Sequence, residues 1–468
     1  MSLTTAAPIG LPARKTGLLR TDFLFGYGLV IGFVLATGGL VLVHAGSFLQ
    51  FAYPMGATSL AVFLYRWRRS VYVAYVWWIW LFTPEVRRLV DFQTRYHSVS
   101  PIMITPLLVT LLTMAYLLAK PKAVLRRKML PFSVFGLVLI YGLIVGVIVS
   151  GPFAAIYDFA NWFSPLCFGT YLLLDSANFK TNRTALISAN MTGLLATAGY
   201  GLYQFYRFPP WDAFWVNNAN LHSLGQGVAE AVRLFGPLNS PLPYGIALMI
   251  PLTFAWVTRG PVRILGAFIG FPAFGLSLVR FAWIGWVVAV GYLLARMGGK
   301  IRIRIVVSAI IVAVLAYPLV TVGPAADALS KRFSTFGNIQ QDGSVQARTS
   351  EYRENLIAAF SQPLGLGLGS NSVAAGKIAA STQTGFDSGI LLIPLIFGWT
   401  GAILILWVLA SLGFRTLAIA RSKTDNIGLA AAGVYLAMLL QPIGEVSFAG
   451  FLGLATWCFA AIAYRGKP

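Results

Sequence analysis

The sequence predicts an all-α, polytopic membrane protein forming a single integral-membrane domain over residues 1–468, with about twelve to fourteen transmembrane helices. Three observations predict it. First, the chain is 57% hydrophobic and only 10% charged, with a mean hydropathy of +0.75, whereas soluble domains carry about 25% charged residues. Second, the apolar residues come in runs of about 20, the length that crosses the hydrocarbon layer as a helix. Third, the basic residues sit in short clusters between those runs, as in proteins that follow the positive-inside rule. No soluble core absorbs so much apolar surface, so lipid is the solvent. The net charge of +21 then belongs to membrane sorting, and nucleic acid is not expected as a partner.

Residues Met1 to Arg20 carry two basic clusters and no short apolar region with a small-residue cleavage site, which reads as a cytoplasmic tail rather than a removed signal peptide. Apolar stretches then run over 23–44, 49–65, 71–84, 101–119, 132–150, 161–175 and 184–205. A second set follows at 241–258, 264–279, 281–295, 305–323, 388–412, 427–442 and 448–464. Several are short or share a tight turn, so twelve spans are as defensible as fourteen. With the N-terminus in the cytoplasm and sides alternating across fourteen spans, the cytoplasmic segments hold 24 of the 35 basic residues and only three of the 14 acidic ones, Asp22, Asp175 and Asp425. The other side keeps 11 of each sign. The reverse orientation violates the positive-inside rule at every loop. This places both termini on the cytoplasmic side of an inner-membrane protein.

Two segments on the far side are long, 206–240 and 324–386, while every cytoplasmic loop is short. Loops of such length are usually functional or disordered, so any chemistry is expected on that side. Within the second, the spacing predicts a surface helix over Arg348–Phe360, with Arg348, Tyr352, Asn355, Leu356 and Ala359 on one face and Ser350, Glu351 and Glu354 elsewhere. Such a helix suits the membrane surface, with Arg348 turned inward.

Four constellations carry candidate chemistry. In Arg233-Leu-Phe-Gly236-Pro-Leu-Asn239-Ser-Pro241, the glycine and prolines shape a tight re-entry, Asn239 holds or caps backbone groups, and Arg233 is either a fixed cation or a snorkelling one at a helix-start turn. In Ser277-Leu-Val-Arg280-Phe-Ala282-Trp283-Ile-Gly285, an arginine lies within otherwise uncharged apolar sequence. There it costs about 2.5 kcal/mol or more if central, and less at a span boundary. In the third, Arg348 and Arg353 offer a bidentate phosphate clamp ahead of Gln362-Pro363-Leu-Gly365-Leu-Gly367-Leu-Gly369, whose glycines allow close backbone approach. A solvated helix followed by a packing turn explains the same residues. In the fourth, Phe386-Asp387-Ser388-Gly389 opens a span, with Asp387 as a base, an acceptor-hydroxyl anchor or a plain N-cap. Glu445 and Asp158 are further far-side carboxylates. Cys167 and Cys458 fall in apolar stretches, which suits small buried side chains rather than a disulfide or metal site. The three histidines are scattered, so no metal is expected.

Taken in order, these elements resemble the O-antigen ligase and polymerase family of integral-membrane, GT-C-type glycosyltransferases. The resemblance rests on Arg233, Gly236, Asn239 and Pro241 before a span. It continues through Ser277, Arg280, Ala282, Trp283 and Gly285, with one residue more than the commoner Ser–Arg spacing, and then Arg348 followed by Pro363 to Gly369. It covers roughly Arg233 to Gly401; the flanking spans match in hydrophobicity alone. Ligases of the family usually carry a His-Asn pair where this chain has Asp387-Ser388, and polymerases of secreted or capsular polysaccharide more often an Asp-Asn-Gly or Asp-Ser-Gly type sequence. The resemblance therefore favours a polysaccharide polymerase, with an O-antigen ligase as the alternative.

The resemblance implies a GT-C-like fold with a long periplasmic loop bearing short surface helices. It implies an undecaprenyl-diphosphate-linked oligosaccharide as donor and a second as acceptor, a chain-length regulator and a flippase as partners, and no cofactor. It also implies catalytic roles for Arg280, Arg348 and Asp387. Substrate-binding roles fall to Arg233, Asn239, Arg353 and Glu445. A lipid-linked oligosaccharide flippase is the rival from another class. It should show internal repeats and midplane charged sites, and no repeat is evident between the two halves. A non-catalytic assembly scaffold is a third reading.

Overall fold

A computed structural model describes residues 16–219, 224–225, 227–321, 323–324, 326, 329–330, 343–370, 388–419, 425–444 and 446–465. Regular structure among them is helical, with no strands. The first helices are α1 (Thr16–Leu42), α2 (Gly46–Trp67), α3 (Arg69–Gln93), α4 (Thr105–Leu111), α5 (Thr113–Leu118) and α6 (Pro121–Val124). Then come α7 (Leu130–Val149), α8 (Pro152–Leu174), α9 (Phe179–Arg207), α10 (Pro210–Ala219), α11 (Pro241–Phe254), α12 (Pro261–Leu276), α13 (Arg280–Arg296) and α14 (Gly299–Thr321). The last are α15 (Gly343–Phe360), α16 (Gly389–Ile419), α17 (Asn426–Met438) and α18 (Gly450–Arg465). The cytoplasmic tail expected for Met1 to Arg20 lies largely outside the described residues.

Among the described residues, six helical stretches are long and apolar enough to cross a membrane: Leu24–Leu42, Gly46–Trp67, Pro101–Leu118, Arg127–Val149, Gly389–Ala418 and Asn426–Ile443. Three shorter apolar helices, Pro241–Phe254, Pro261–Leu276 and Gly450–Arg465, accompany them. The fold is therefore that of a polytopic membrane protein. Its outer surface agrees: Leu35, Leu42, Ile148 and Phe153 expose between 69% and 81% of their area, which water penalises and lipid tails do not.

The interior is organised around α18, in which every residue from Phe451 to Tyr464 is buried. Small residues let its neighbours approach. A Cβ on Gly169 of α8 would lie 2.7 Å from the carbonyl oxygen of Trp457, and one on Gly433 of α17 would lie 2.9 Å from that of Ala289 in α13. Cys167 and Cys458 are both buried and unbonded to each other, consistent with their role as small packing groups.

The helices fix two polar ends. At one, Arg69 lies over the ring of Tyr116, Arg183 pairs with Asp425, Arg415 donates to the Tyr464 hydroxyl, and that hydroxyl donates to the carbonyl of Lys128. Arg465 donates to the Leu173 carbonyl at 3.1 Å. The segments meeting here are those that charge alternation assigns to one common side. The other end is reached along α3 from Arg69 to Arg88, a rise of roughly 28 Å at helical pitch. There it meets the C-terminal end of α9.

Candidate functional site

The second end is built on a buried ion cluster. Arg88, wholly buried on α3, pairs with Glu85 one turn earlier, and its Nε lies 3.0 Å from Asp212 Oδ1 of α10. Its two terminal nitrogens donate to the carbonyls of Gly236 and Leu238, both at 2.6 Å. Asp212 also accepts from Gln204 at 2.6 Å and from the Tyr200 hydroxyl at 2.9 Å. The oxygen of the same Gln204 amide accepts from the backbone N–H groups of Phe235 (3.1 Å) and Gly236 (2.9 Å). The turn Arg233–Pro241 is thus held by side chains from α3 and α9. Gly236 is required: its φ is +53° and a Cβ there would sit 2.2 Å from the Tyr244 ring.

This turn docks on the junction between α12 and α13. The Leu234 amide donates to the Leu276 carbonyl at 3.3 Å, and Arg233 Nη2 to the Leu278 carbonyl at 3.2 Å. The first two sequence constellations are therefore one structural unit. Leu278 takes a left-handed conformation, φ +54°, which breaks the apolar run between α12 and α13. The break is held by Ser277 Oγ and Trp283 Nε1, both donating to the Phe274 carbonyl (2.7 and 3.0 Å). Ala282 is fully buried, and a Cβ on Gly285 would crowd Met249 and Gln441. Around Arg280, the small and aromatic residues of the motif thus serve packing. Arg280 itself is half-buried and opens α13. A span boundary relieves the cost of a central charge, yet a cation at the positive end of a helix is unfavourable by about 0.3–1 kcal/mol. Arginine and helix end together raise the local potential in favour of an anion.

The remaining constellations converge on the same end through the turn Gln441–Gly444. Gln441 Nε2 donates to the carbonyl of Phe281 at 3.3 Å, and Gly444 lies against the Phe281 ring. The hydroxyl of Tyr352 on α15 donates to the Ile443 carbonyl at 3.3 Å and shares a 2.6 Å hydrogen bond with Ser388 Oγ at the start of α16. One chain of contacts therefore runs from Arg233 through Leu278, Phe281 and Gln441 to Tyr352 and Ser388.

The candidate residues divide accordingly. Arg233 and Arg280 share the α12–α13 junction. Asn239 is half-buried beside it with its side-chain oxygen buried and unpartnered among the described residues. Its expected capping role passes to Ser240, the N-cap of α11, which makes no side-chain cap bond. Arg348 lies one turn before Tyr352 on α15; its side chain is outside what is described. Arg353 is exposed and joins no cluster among the described residues. Asp387 and Glu445 lie outside the described residues, each next to a residue of the assembly, Ser388 and Gly444. Of the face expected on α15, Tyr352 and Ala359 turn inward, whereas Leu356 is exposed with Ile357 and Phe360. That exposed row suits a helix whose apolar side meets lipid.

The glycine run is a strap, not a phosphate cradle. Its five successive amides, Gly365 to Gly369, donate to the Gln362, Leu395, Ile396 and Gly142 carbonyls and to Asp158 Oδ2. A Cβ on Gly367 would lie 2.0 Å from the Gly146 amide. By taking carbonyls of α16 the strap forces the break at Gly398, where φ is +65°. The glycines serve close approach to α7 and α16, and Asp158 is occupied by the Gly369 amide.

Sequence reasoning did not single out Glu85, Arg88, Gln204 or Asp212. The Glu85–Arg88 spacing at the end of an apolar run was the local signal. The geometry defines a class, an all-helical membrane protein with a polar assembly at one end. Beyond that class, no model of a known protein family matches the chain, and no curated protein matches it.

Proposed function

We propose that this chain is a bacterial cell-surface or exopolysaccharide polymerase, a metal-independent membrane glycosyltransferase. It joins undecaprenyl-diphosphate-linked oligosaccharide repeats at the periplasmic face of the inner membrane, on a GT-C-like scaffold of twelve to fourteen spans. The observation that carries this reading is the docking of Arg233 on the Leu278 carbonyl at 3.2 Å, which sets two arginine-bearing elements at the N-terminal end of α13. The link from Phe281 through Gln441 to Tyr352 and Ser388 adds α15, which carries Arg348, and the residue that follows Asp387 in sequence.

In this mechanism an acceptor hydroxyl attacks the anomeric carbon of the donor. The new glycosidic C–O bond forms as the bond to the diphosphate breaks, and the electron pair leaves with undecaprenyl diphosphate. Arg280 and Arg348, helped by Arg233, stabilise the charge growing on that leaving group. Preorganised cations in a partly water-excluded site supply several kcal/mol, roughly, to such a step. Asp387 orients the acceptor hydroxyl and takes its proton. The buried oxygen of Asn239, unpartnered among the described residues, offers an acceptor to a sugar hydroxyl or a headgroup donor.

The test is reconstitution: purified chain in detergent with a lipid-linked oligosaccharide, followed by electrophoresis of the glycan. Lengthened lipid-linked glycan is expected. Transfer to a lipid acceptor without lengthening would assign a ligase. Transbilayer movement in vesicles with no new glycosidic bond would assign a flippase and sink the enzymatic reading.

A further inference from the structure

At the end of the bundle away from the candidate site lies a cavity of about 640 Å³ between the ends of α5, α8, α16 and α18. Among the described residues its lining includes five cations, Lys120, Arg126, Lys128, Arg415 and Arg465, and no carboxylate. Three of the five have neutral partners. Lys120 Nζ donates to the Tyr116 hydroxyl at 2.7 Å, Arg415 donates to Tyr464, and Arg465 donates to the Leu173 carbonyl while lying over the Phe179 ring at 4.2 Å. Arg126 and Lys128 are exposed and make no ion pair among the described residues. The carboxylate close by, Asp175, is buried and held by Asn178 and Asn182 at 3.1 Å. It reaches Lys120 only through the Tyr116 phenol.

Asp175 also acts on Arg465, but fold stability does not explain five converging cations against one buried carboxylate among the described residues, since their mutual repulsion opposes the compact state. The surroundings indicate which anion relieves it. Leu173 and Leu174 line the cavity, and Leu118, Leu125 and Leu130, close in sequence to its cations, are exposed, so apolar surface accompanies the charge. A soluble anion uses the cations and leaves the leucines in water. A lipid uses both, with headgroup phosphates among the cations and acyl chains along the leucines.

We propose that this cavity binds the headgroup of an anionic phospholipid carrying two phosphates. One phosphate bridges Lys120, Arg126 and Lys128 on the α5–α7 linker; the other is met by Arg415 and Arg465. Binding ties the linker to α16 and α18.

The test uses the purified full chain in detergent, titrated with cardiolipin and read by native mass spectrometry and thermal melting. The variant Arg126→Gln/Lys128→Gln should weaken cardiolipin binding by about tenfold. A control variant with the same two-charge loss outside the cavity, Arg259→Gln/Arg304→Gln, should change it by less than about twofold. The cavity variant should melt like the wild-type chain when no lipid is added, so lost binding is not lost folding. On the wild-type chain alone, cardiolipin should displace phosphatidylglycerol, and inorganic pyrophosphate should not displace cardiolipin. Equal loss in the two variants overturns the proposal in favour of a generic basic face. Displacement by pyrophosphate overturns it in favour of a soluble anion, and equal competition by phosphatidylglycerol overturns the two-phosphate assignment.

Discussion

Arg88 and Arg126 sit at opposite ends of the helix bundle in opposite electrostatic settings. Arg88 is wholly buried, paired with Glu85 and Asp212 and bonded to two carbonyls of the Arg233–Pro241 turn. Its neighbour Arg87 is similarly enclosed, bonded to Asp91 and stacked 4.6 Å over Trp215. Arg126 is exposed, shares a cavity with four other cations and has no counter-ion among the described residues. Around Arg88 the charges are balanced and serve as an internal strut; around Arg126 the described cations are in excess. A count of basic residues therefore says little about any one arginine, because pairing decides whether it is part of the fold or part of a binding surface.

The comparison is broken most severely by removing the strut. Arg88→Ala leaves two carboxylates facing each other and two carbonyls unpaired, a change worth about 3–5 kcal/mol for a buried pair. A sharp fall in melting temperature in detergent is expected; an unchanged melt would mean the cluster is hydrated and open. An intermediate case sharpens the point, since Arg183 lies at the same end as Arg126 but pairs with Asp425, both largely buried. Arg183→Ala should cost about 1–3 kcal/mol, showing that pairing rather than location sets the effect. The smallest effect is expected for Arg126→Gln, with no measurable shift in melting temperature in the absence of lipid.

The sequence carries some of this openly. The two-ended arrangement follows from where basic clusters fall between apolar runs, because that bias is set by the membrane and needs no tertiary information. The meeting of Arg233 with the Ser277–Gly285 element was foreshadowed by both lying on the same side of adjacent spans. The strut was not legible: Glu85 and Arg88 are one helical turn apart, but Asp212 is far off in sequence, and only packing of α3 against α9 and α10 brings it in. Nor was the use of the glycines. Alternating Gly365, Gly367 and Gly369 announces a close backbone approach, but not whether helices or phosphate are approached. Their amides are occupied by carbonyls and Asp158. Leu356 makes a related point, since helical periodicity marks an apolar face without saying whether protein or lipid covers it.

The catalytic reading stands or falls on whether the arginines at the α12–α13 junction act on a lipid-borne diphosphate. The most direct measurement is glycan analysis of cells carrying Arg280→Ala in place of the wild-type chain, with membrane insertion checked by immunoblot. The expected result is accumulation of single unpolymerised repeats alongside normal amounts of inserted protein. Polymer of wild-type length in those cells would contradict the account.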